Sequence, residues 1–299
     1  MASAELVALT ASIREQFGAL LGGTVEEMRT GYDAVSAPLA SDVTVQSVDA
    51  AGVPSEWVST PNAGKTVVLY LHGGGYVIGS PNSHRELASR IARAAAARVL
   101  LINYRLAPEN PFPAAVNDAV ATYRFLLQQG VAPGNIAIAG DSAGGGLTLA
   151  TLCSLRDAGD RLPAAAVTLS AWTDLAITGG TIKSKADVDP MVSGDAVNNM
   201  ASTYLNGADA KHPLASPLYA DLKGLPPLLM QVGTAETLLD DTLRVADRAR
   251  AAGVAVTVEE YQDAFHVFQA FATQLPEGRE AIEKIGGFVR AKAGAGVPA

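Results

Sequence analysis

Six short apolar runs alternate along this chain with longer segments of helical pattern, and that alternation limits the folds open to it. The runs are Thr66 to Leu71, Arg98 to Asn103, Asn135 to Ala139, Ala165 to Leu169, Leu228 to Val232 and Val254 to Tyr261. Each has strand length and strand composition. Consecutive strands separated by helix-length connections run parallel, and a parallel sheet needs helices over both faces. Ahead of these runs, Val43 to Val48 and Val53 to Ser59 read as a strand pair across Ala50-Ala51-Gly52. Residues 1 to about 38 read as two helices, the second opened by Thr24 with Glu27 three residues on and ended by Pro38. Between Ala176 and about Lys211 the alternation gives way to a polar, glycine-containing stretch and a short helix from Ser193 to Leu205. The expected fold class is α/β, a mostly parallel sheet covered by helices. At 299 residues, 48% hydrophobic and 17% charged, the chain suits one large domain over residues 1–299.

Open sheets of this kind place their sites just beyond the C-terminal ends of strands, and two glycine clusters fall there. Gly140-Asp141-Ser142-Ala143-Gly144 joins the run Asn135 to Ala139 to a helical run from Gly145 to Arg156. Small neighbours let the backbone take a strained turn that projects the Ser142 hydroxyl, and the turn aims the Ala143 N–H at a developing oxyanion. His72-Gly73-Gly74-Gly75-Tyr76 follows the run Thr66 to Leu71. Acyl transfer builds charge on a carbonyl oxygen, and fixed backbone N–H groups stabilise it where side chains would crowd them out. Gly73 and Gly74 are the expected donors, with Ala143. Taken alone, either cluster also fits an ordinary turn or loop.

A serine nucleophile needs a base, and the chain has four histidines. His72 belongs to the glycine loop and orders it by hydrogen bonding. His84 falls in a helix opened by Ser83 with Glu86 following, and His212 precedes a proline. His266 lies just after the last strand-like run, where the base arrives in the chain order serine, acid, histidine. The acid comes from the loop after Leu228 to Val232, which holds Glu236, Asp240 and Asp241. Either aspartate is a natural N-cap for the helix that follows. Glu236, nearest the strand end, is left to hold the imidazole through its Nδ1 proton; Asp240 is the alternative acid.

The motifs His72-Gly73-Gly74-Gly75, Tyr104-Arg105-Leu106-Ala107-Pro108-Glu109 with Asp118, Gly140-Asp141-Ser142-Ala143-Gly144-Gly145, and His266 together resemble the hormone-sensitive-lipase-like carboxylesterases of the α/β-hydrolase superfamily. The resemblance runs from about residue 65 to the C-terminus. It implies the α/β-hydrolase fold with a small helical cap, here formed by about 1–40 and about 178–211. It also implies hydrolysis of short-chain carboxylic esters through Ser142, an acid and His266, with Gly73, Gly74 and Ala143 as the oxyanion hole and no cofactor. One departure is Glu236, where the family more often has aspartate. Family members often pair through the edge strand near the C-terminus, so a homodimer through 254–261 is a further expectation.

A net charge of −8 and an isoelectric point near 5.0 argue against nucleic acid or an anionic membrane as partner. The single cysteine, Cys153, excludes an internal disulfide and reads as buried packing. Residues Met1 to Phe17 lack the basic start and apolar stretch of a signal peptide, so the expected location is cytoplasmic. Asp174 and Asp187 or Asp189 read as turn caps or as grips on the cover. Tyr76, Trp172, Met200, Tyr204 and Phe268 divide between pocket wall and core packing. The tail from Ala293 to Ala299 reads as frayed. Other classes fit less well. A receptor on this scaffold would not need both Ser142 and His266, and a metalloenzyme would need histidines or cysteines at ligand spacing. An amidase uses the same triad and stays open.

Overall fold

The computed structural model describes residues 3–294; of the tail expected to fray, residues 295–299 lie outside the described residues. Eight strands form one sheet: β1 (Thr44–Ala50), β2 (Val53–Ser59), β3 (Val67–Leu71), β4 (Arg98–Ile102), β5 (Ile136–Asp141), β6 (Ala165–Leu169), β7 (Leu228–Gly233) and β8 (Val256–Tyr261). Their order is β1-β2-β4-β3-β5-β6-β7-β8. The β1–β2 and β2–β4 pairs are antiparallel and all others parallel. The fold is therefore the α/β-hydrolase architecture expected, with its antiparallel part at one end.

Register decides where the loops emerge. Leu71 pairs with Gly140, Asp141 with Leu169, and Gly233 with Tyr261. The parallel strands thus end along one rim, where the chain leaves the sheet at His72, Ser142, Ser170 and Thr234.

Alternate residues of each strand enter opposite faces. Leu69, Leu71, Leu100, Ile138, Ala166 and Met230 pack against α4 (Ala114–Gln128), α5 (Ala143–Asp157) and α8 (Leu239–Ala251). Val68, Tyr70, Val99, Ala137, Val167 and Leu229 pack against α3 (Pro81–Ala95) and α9 (Pro276–Lys292). Both faces are dry, which is why β3, β5, β6 and β7 read as unbroken apolar runs. By contrast β1 and β8, the two edges, show largely exposed or half-buried residues.

Among the described residues there are four further α-helices: α1 (Ala4–Leu20), α2 (Val25–Asp33), α6 (Thr181–Ser184) and α7 (Gly194–Leu205). The Thr24–Glu27 capping box is present on α2, but that helix stops at Asp33, short of Pro38. Arg29 on α2 is spread over three partners: the Val77 and Ala107 carbonyls, each at 2.9 Å, and the Glu109 carboxylate at 2.7 Å. One side chain thereby ties the N-terminal helices to the loops beside the sheet. A third apolar cluster joins Leu6, Ile13 and Phe17 of α1 to Met191, Phe265 and Phe268.

Two helix starts differ from expectation, each for a clear reason. α3 is capped by Ser80, with Pro81 in its first turn and Ser83 at the third position returning the bond. Proline's fixed φ suits that first turn, so the helix begins earlier than Ser83. α8 starts at Leu239 with no side-chain cap, because Asp240 and Asp241 are engaged elsewhere. Asp241 accepts from the Thr173 and Asp174 N–H groups at 2.7 and 2.8 Å, and Asp240 accepts from Thr181 N at 3.1 Å.

Where α9 crosses α3, Gly286 lies so close to Ala94 that a Cβ there would run into the Ala94 carbonyl. Gly286→Val should therefore cost about 1–3 kcal/mol through overpacking. A urea melt at neutral pH checks this as a lowered midpoint.

Candidate active site

Ser142 stands between the last residue of β5 and the first of α5, with φ 51° and ψ −120°. No regular element offers that conformation, and it holds only because its surroundings fix it. The Ser142 N–H donates to Leu169 O at 2.8 Å, and its carbonyl accepts from Gly145, Gly146 and Trp172 N–H at 3.0, 3.1 and 2.9 Å. The glycines are a packing necessity here: a Cβ at Gly144 would meet the Leu71 carbonyl.

His266 follows β8 and is buried. Its Nδ1 lies 3.0 Å from Glu236 Oε2. The other carboxylate oxygen of Glu236 accepts from Ser170 Oγ at 2.7 Å and from Gly233 N at 2.6 Å. Burial raises the Glu236 carboxyl above its ordinary range, partly offset by these donors and by His266. Burial alone would depress His266, but the Glu236 carboxylate, with Asp189 and Asp141 behind it, outweighs burial and holds the imidazole above its ordinary value. Asp240 sits on α8 bonded to Thr181, and Asp241 is consumed by the turn at Thr173.

Ser142, His266, Gly74 and Gly75 line one cavity of about 70 Å³. Its remaining wall is apolar, including Ile78, Trp172, Val197, Met200 and Leu238. Residues from both outlying regions contribute: Phe17, Leu21 and Tyr32 from the N-terminal helices, and Met191 to Met200 from the segment before and within α7. Of the candidate wall residues, Trp172 and Met200 are there. Tyr76 and Tyr204 are instead stacked on each other at 3.8 Å in the core, and Phe268 packs on Tyr261.

The glycine loop corrects one expectation. Gly73 N–H donates to Asp141 Oδ1 at 3.1 Å, so it points at the body of the protein and Gly73 is absent from the cavity wall. Gly75 takes its place. The N–H groups of Gly74, Gly75 and Ala143 find no acceptor among the described residues. His72 orders the loop as expected, through Nδ1 and the Gly73 carbonyl at 2.7 Å. Burial drives the His72 imidazole down to about 3, so it is neutral at neutral pH and donates from Nδ1.

Two residues were missed in the sequence. Ser170, at φ 50°, donates to Glu236 and accepts from Val267 N at 3.0 Å, bridging the acid and the residue after the base. Its position just past β6, on the rim that holds the other groups, was the available signal. Asp141 is the second. Buried beside the serine, it accepts from Tyr70 OH at 2.9 Å as well as Gly73 N, and faces His84 Nε2 at 3.3 Å. Burial opposes its charge, yet His84, Tyr70 and His72 together hold the carboxyl below its ordinary range. Cys153 is buried, its thiol raised to about 11 by burial, which fits packing rather than chemistry.

Comparison with known proteins identifies the family. The family described by the α/β hydrolase fold matches residues 68–270. This chain belongs to it. It is 47% identical over 282 residues to an acetyl-hydrolase of Streptomyces hygroscopicus, covering 92% of this chain and 93% of that protein. It is 33% identical over 252 residues to an esterase of Acinetobacter venetianus, covering 84% and 83%. The crystal structure of an esterase from the bacterial hormone-sensitive lipase family superposes with a TM-score of 0.95 at 50% identity, covering 98% of this chain and all of that one, 100%. Within the α/β hydrolases the chain is thus hormone-sensitive-lipase-like. Among the described residues, no helix is long and apolar enough to cross a membrane.

Asp141 links the serine turn to the glycine loop, and that link can be tested by stability. A carboxyl held below its ordinary range contributes stability above about pH 4, lost as pH falls through its folded value. Asp141→Asn should cost about 1–3 kcal/mol at neutral pH. The gap from wild type should shrink towards pH 3, as followed by urea denaturation at both pH values.

Proposed function

We propose that this protein is a serine carboxylesterase acting on short-chain esters through Ser142, His266 and Glu236. One observation carries the reading: Ser142 and a Glu236-bound His266 share a small apolar cavity rimmed by backbone N–H groups without acceptors. In the first step His266 takes the Ser142 proton as the oxygen attacks the ester carbonyl. Gly74, Gly75 and Ala143 N–H groups stabilise the oxyanion. His266 then protonates the departing alcohol, and water activated by the same imidazole releases the acid. Glu236, fixed by Ser170 and Gly233, keeps the Nδ1 proton on the ring and offsets its transient positive charge.

The regions 1–40 and 178–211 act as the cap in this reading. Their side chains close the cavity over the serine and exclude water, which strengthens the bonds to the oxyanion. A cavity of about 70 Å³ with Met200 and Trp172 in its wall favours a small acyl group. The names of the relatives, acetyl-hydrolase and esterase, support the same choice.

A series of p-nitrophenyl esters of increasing acyl length tests the reading directly. Turnover should peak at acetyl to butyryl, and a peak at long chains would reject the small-acyl assignment. On the acetyl ester, Ser142→Ala should remove turnover by about 10⁴-fold or more. Glu236→Gln should lower kcat by about a hundredfold or more by disturbing the tautomer. Asp240→Asn should stay close to wild type, and the reverse ranking would move the acid to Asp240.

The pH profile gives a separate check. Only the neutral imidazole accepts a proton, so the rate rises with pH through the His266 pKa. Because Glu236 raises that value, the midpoint of kcat/KM should lie above the ordinary histidine value of about 6.5.

A further inference from the structure

Asp189 is a buried carboxylate in the segment leading to α7, and among the described residues it forms no ion pair. Four donors converge on it instead. Oδ1 accepts from Met191 N at 2.9 Å and Val192 N at 3.0 Å. Oδ2 accepts from Thr237 N at 2.8 Å and lies 3.1 Å from Thr237 Oγ1. The first pair of donors belongs to two residues of the cavity wall. The second belongs to the residue directly after Glu236. One side chain therefore fastens the cap segment to the loop that carries the acid.

Other contacts converge on the same joint. Thr237 Oγ1 is also 3.3 Å from the Val192 carbonyl, and Thr181 Oγ1 donates to the Thr237 carbonyl at 2.8 Å. From outside, Arg14 on α1 donates to the Asp187 and Val188 carbonyls at 2.9 and 3.2 Å. The segment just before Asp189 is thus held on the surface by α1, and Asp189 itself reaches inward. A carboxylate meets four donors with both oxygens, whereas an amide would turn its own NH₂ towards one pair of them.

We propose that Asp189 is a positioning residue for the Glu236–His266 pair, through which the seating of the cap segment sets the orientation and charge environment of the base. This inference rests on the esterase reading above. Glu236, in contact with His266, and Asp189 and Asp141, at longer range, all act to raise the proton affinity of its imidazole. Loss of one negative charge from that set lowers the proton affinity of the imidazole. A purely structural tie would have no such effect, and the pH profile separates the two roles.

The test is p-nitrophenyl acetate hydrolysis by the full-length protein across pH 5 to 9. For Asp189→Asn, kcat should fall about tenfold or more, in line with a small misplacement of a catalytic group. The midpoint of the rising limb should move to lower pH. Asp187→Asn, two residues away and exposed, should leave kcat and midpoint unchanged. Wild-type kcat in a folded D189N, or a fall in kcat with an unmoved midpoint, overturns the proposal. Should D189N fail to fold, Thr237→Val removes the hydroxyl that meets Asp189 and the Val192 carbonyl but keeps the carboxylate and the Thr237 N–H bond to it; it should lower kcat several-fold with the midpoint in place, and wild-type kcat there would also overturn the idea. A wild-type protein without ester turnover would instead reject the esterase reading itself.

Discussion

The left-handed φ of Ser142 is the constraint around which the site is built. Such a conformation costs on the order of 1–3 kcal/mol and survives only where neighbours over-determine it. Four backbone hydrogen bonds, to Leu169, Gly145, Gly146 and Trp172, do so. They require the end of β6 and the start of α5 to meet at the serine, which in turn requires Gly144 to be bare against the Leu71 carbonyl. Asp141, one residue back, faces the other way and takes the Gly73 N–H. The turn that presents the nucleophile and the loop that presents the amides are therefore joined by a single residue.

Buried carboxylates recur around this rim, and what satisfies each one assigns its role. Asp141 has a phenol, an amide and His84 around it and keeps its charge. Asp241 has only amide donors and Arg244 against deep burial and the nearby Asp174, and burial pushes it up to about 7. It serves the turn after β6 and has no contact with the imidazole. Among the carboxylates of the described residues, Glu236 alone has His266 within bonding distance, and its other oxygen is held by the backbone N–H of Gly233 at the strand end. In the proposed mechanism the acid is the glutamate that this loop sets at the rim, while Asp240 reaches Thr181 and Asp241 the turn at Thr173.

Much of the fold was legible because burial on both faces leaves a plain signature: apolar runs at β3, β5, β6 and β7, separated by helix-length connections. The convergence of Ser142 and the Glu236–His266 pair on one rim was legible for a different reason, since strand ends are few and each carries few reactive residues. What was hidden depended on long-range pairing. Nothing local marks Gly73 as a donor to Asp141, a bond spanning 68 residues, so the first glycine of the cluster read as an oxyanion donor. The start of α8 was misread likewise, because the capping preference of Asp240 and Asp241 was overridden by partners at Thr181 and Thr173. Local chemistry ranked the two aspartates correctly as hydrogen-bond acceptors and could not say for whom.

In the proposed esterase mechanism, size selection and transition-state stabilisation are physically coupled. Gly75 has φ 61°, and a Cβ there would overlap the Met200 side chain. The same methionine forms part of the cavity wall beside Ser142 and His266. In the proposed mechanism the residue that bounds the acyl group thus also lies against the backbone that offers an oxyanion N–H. A substitution that enlarges the cavity at Met200 removes support from that peptide, so wider acyl tolerance and a well-aimed amide pull against each other. Met200 sits on α7, which follows the chain from Asp189 to Val192, so in the proposed mechanism the seating of that segment enters both quantities. Selectivity in such a site follows from how firmly a helix outside the sheet is seated on a loop that has no side chains of its own.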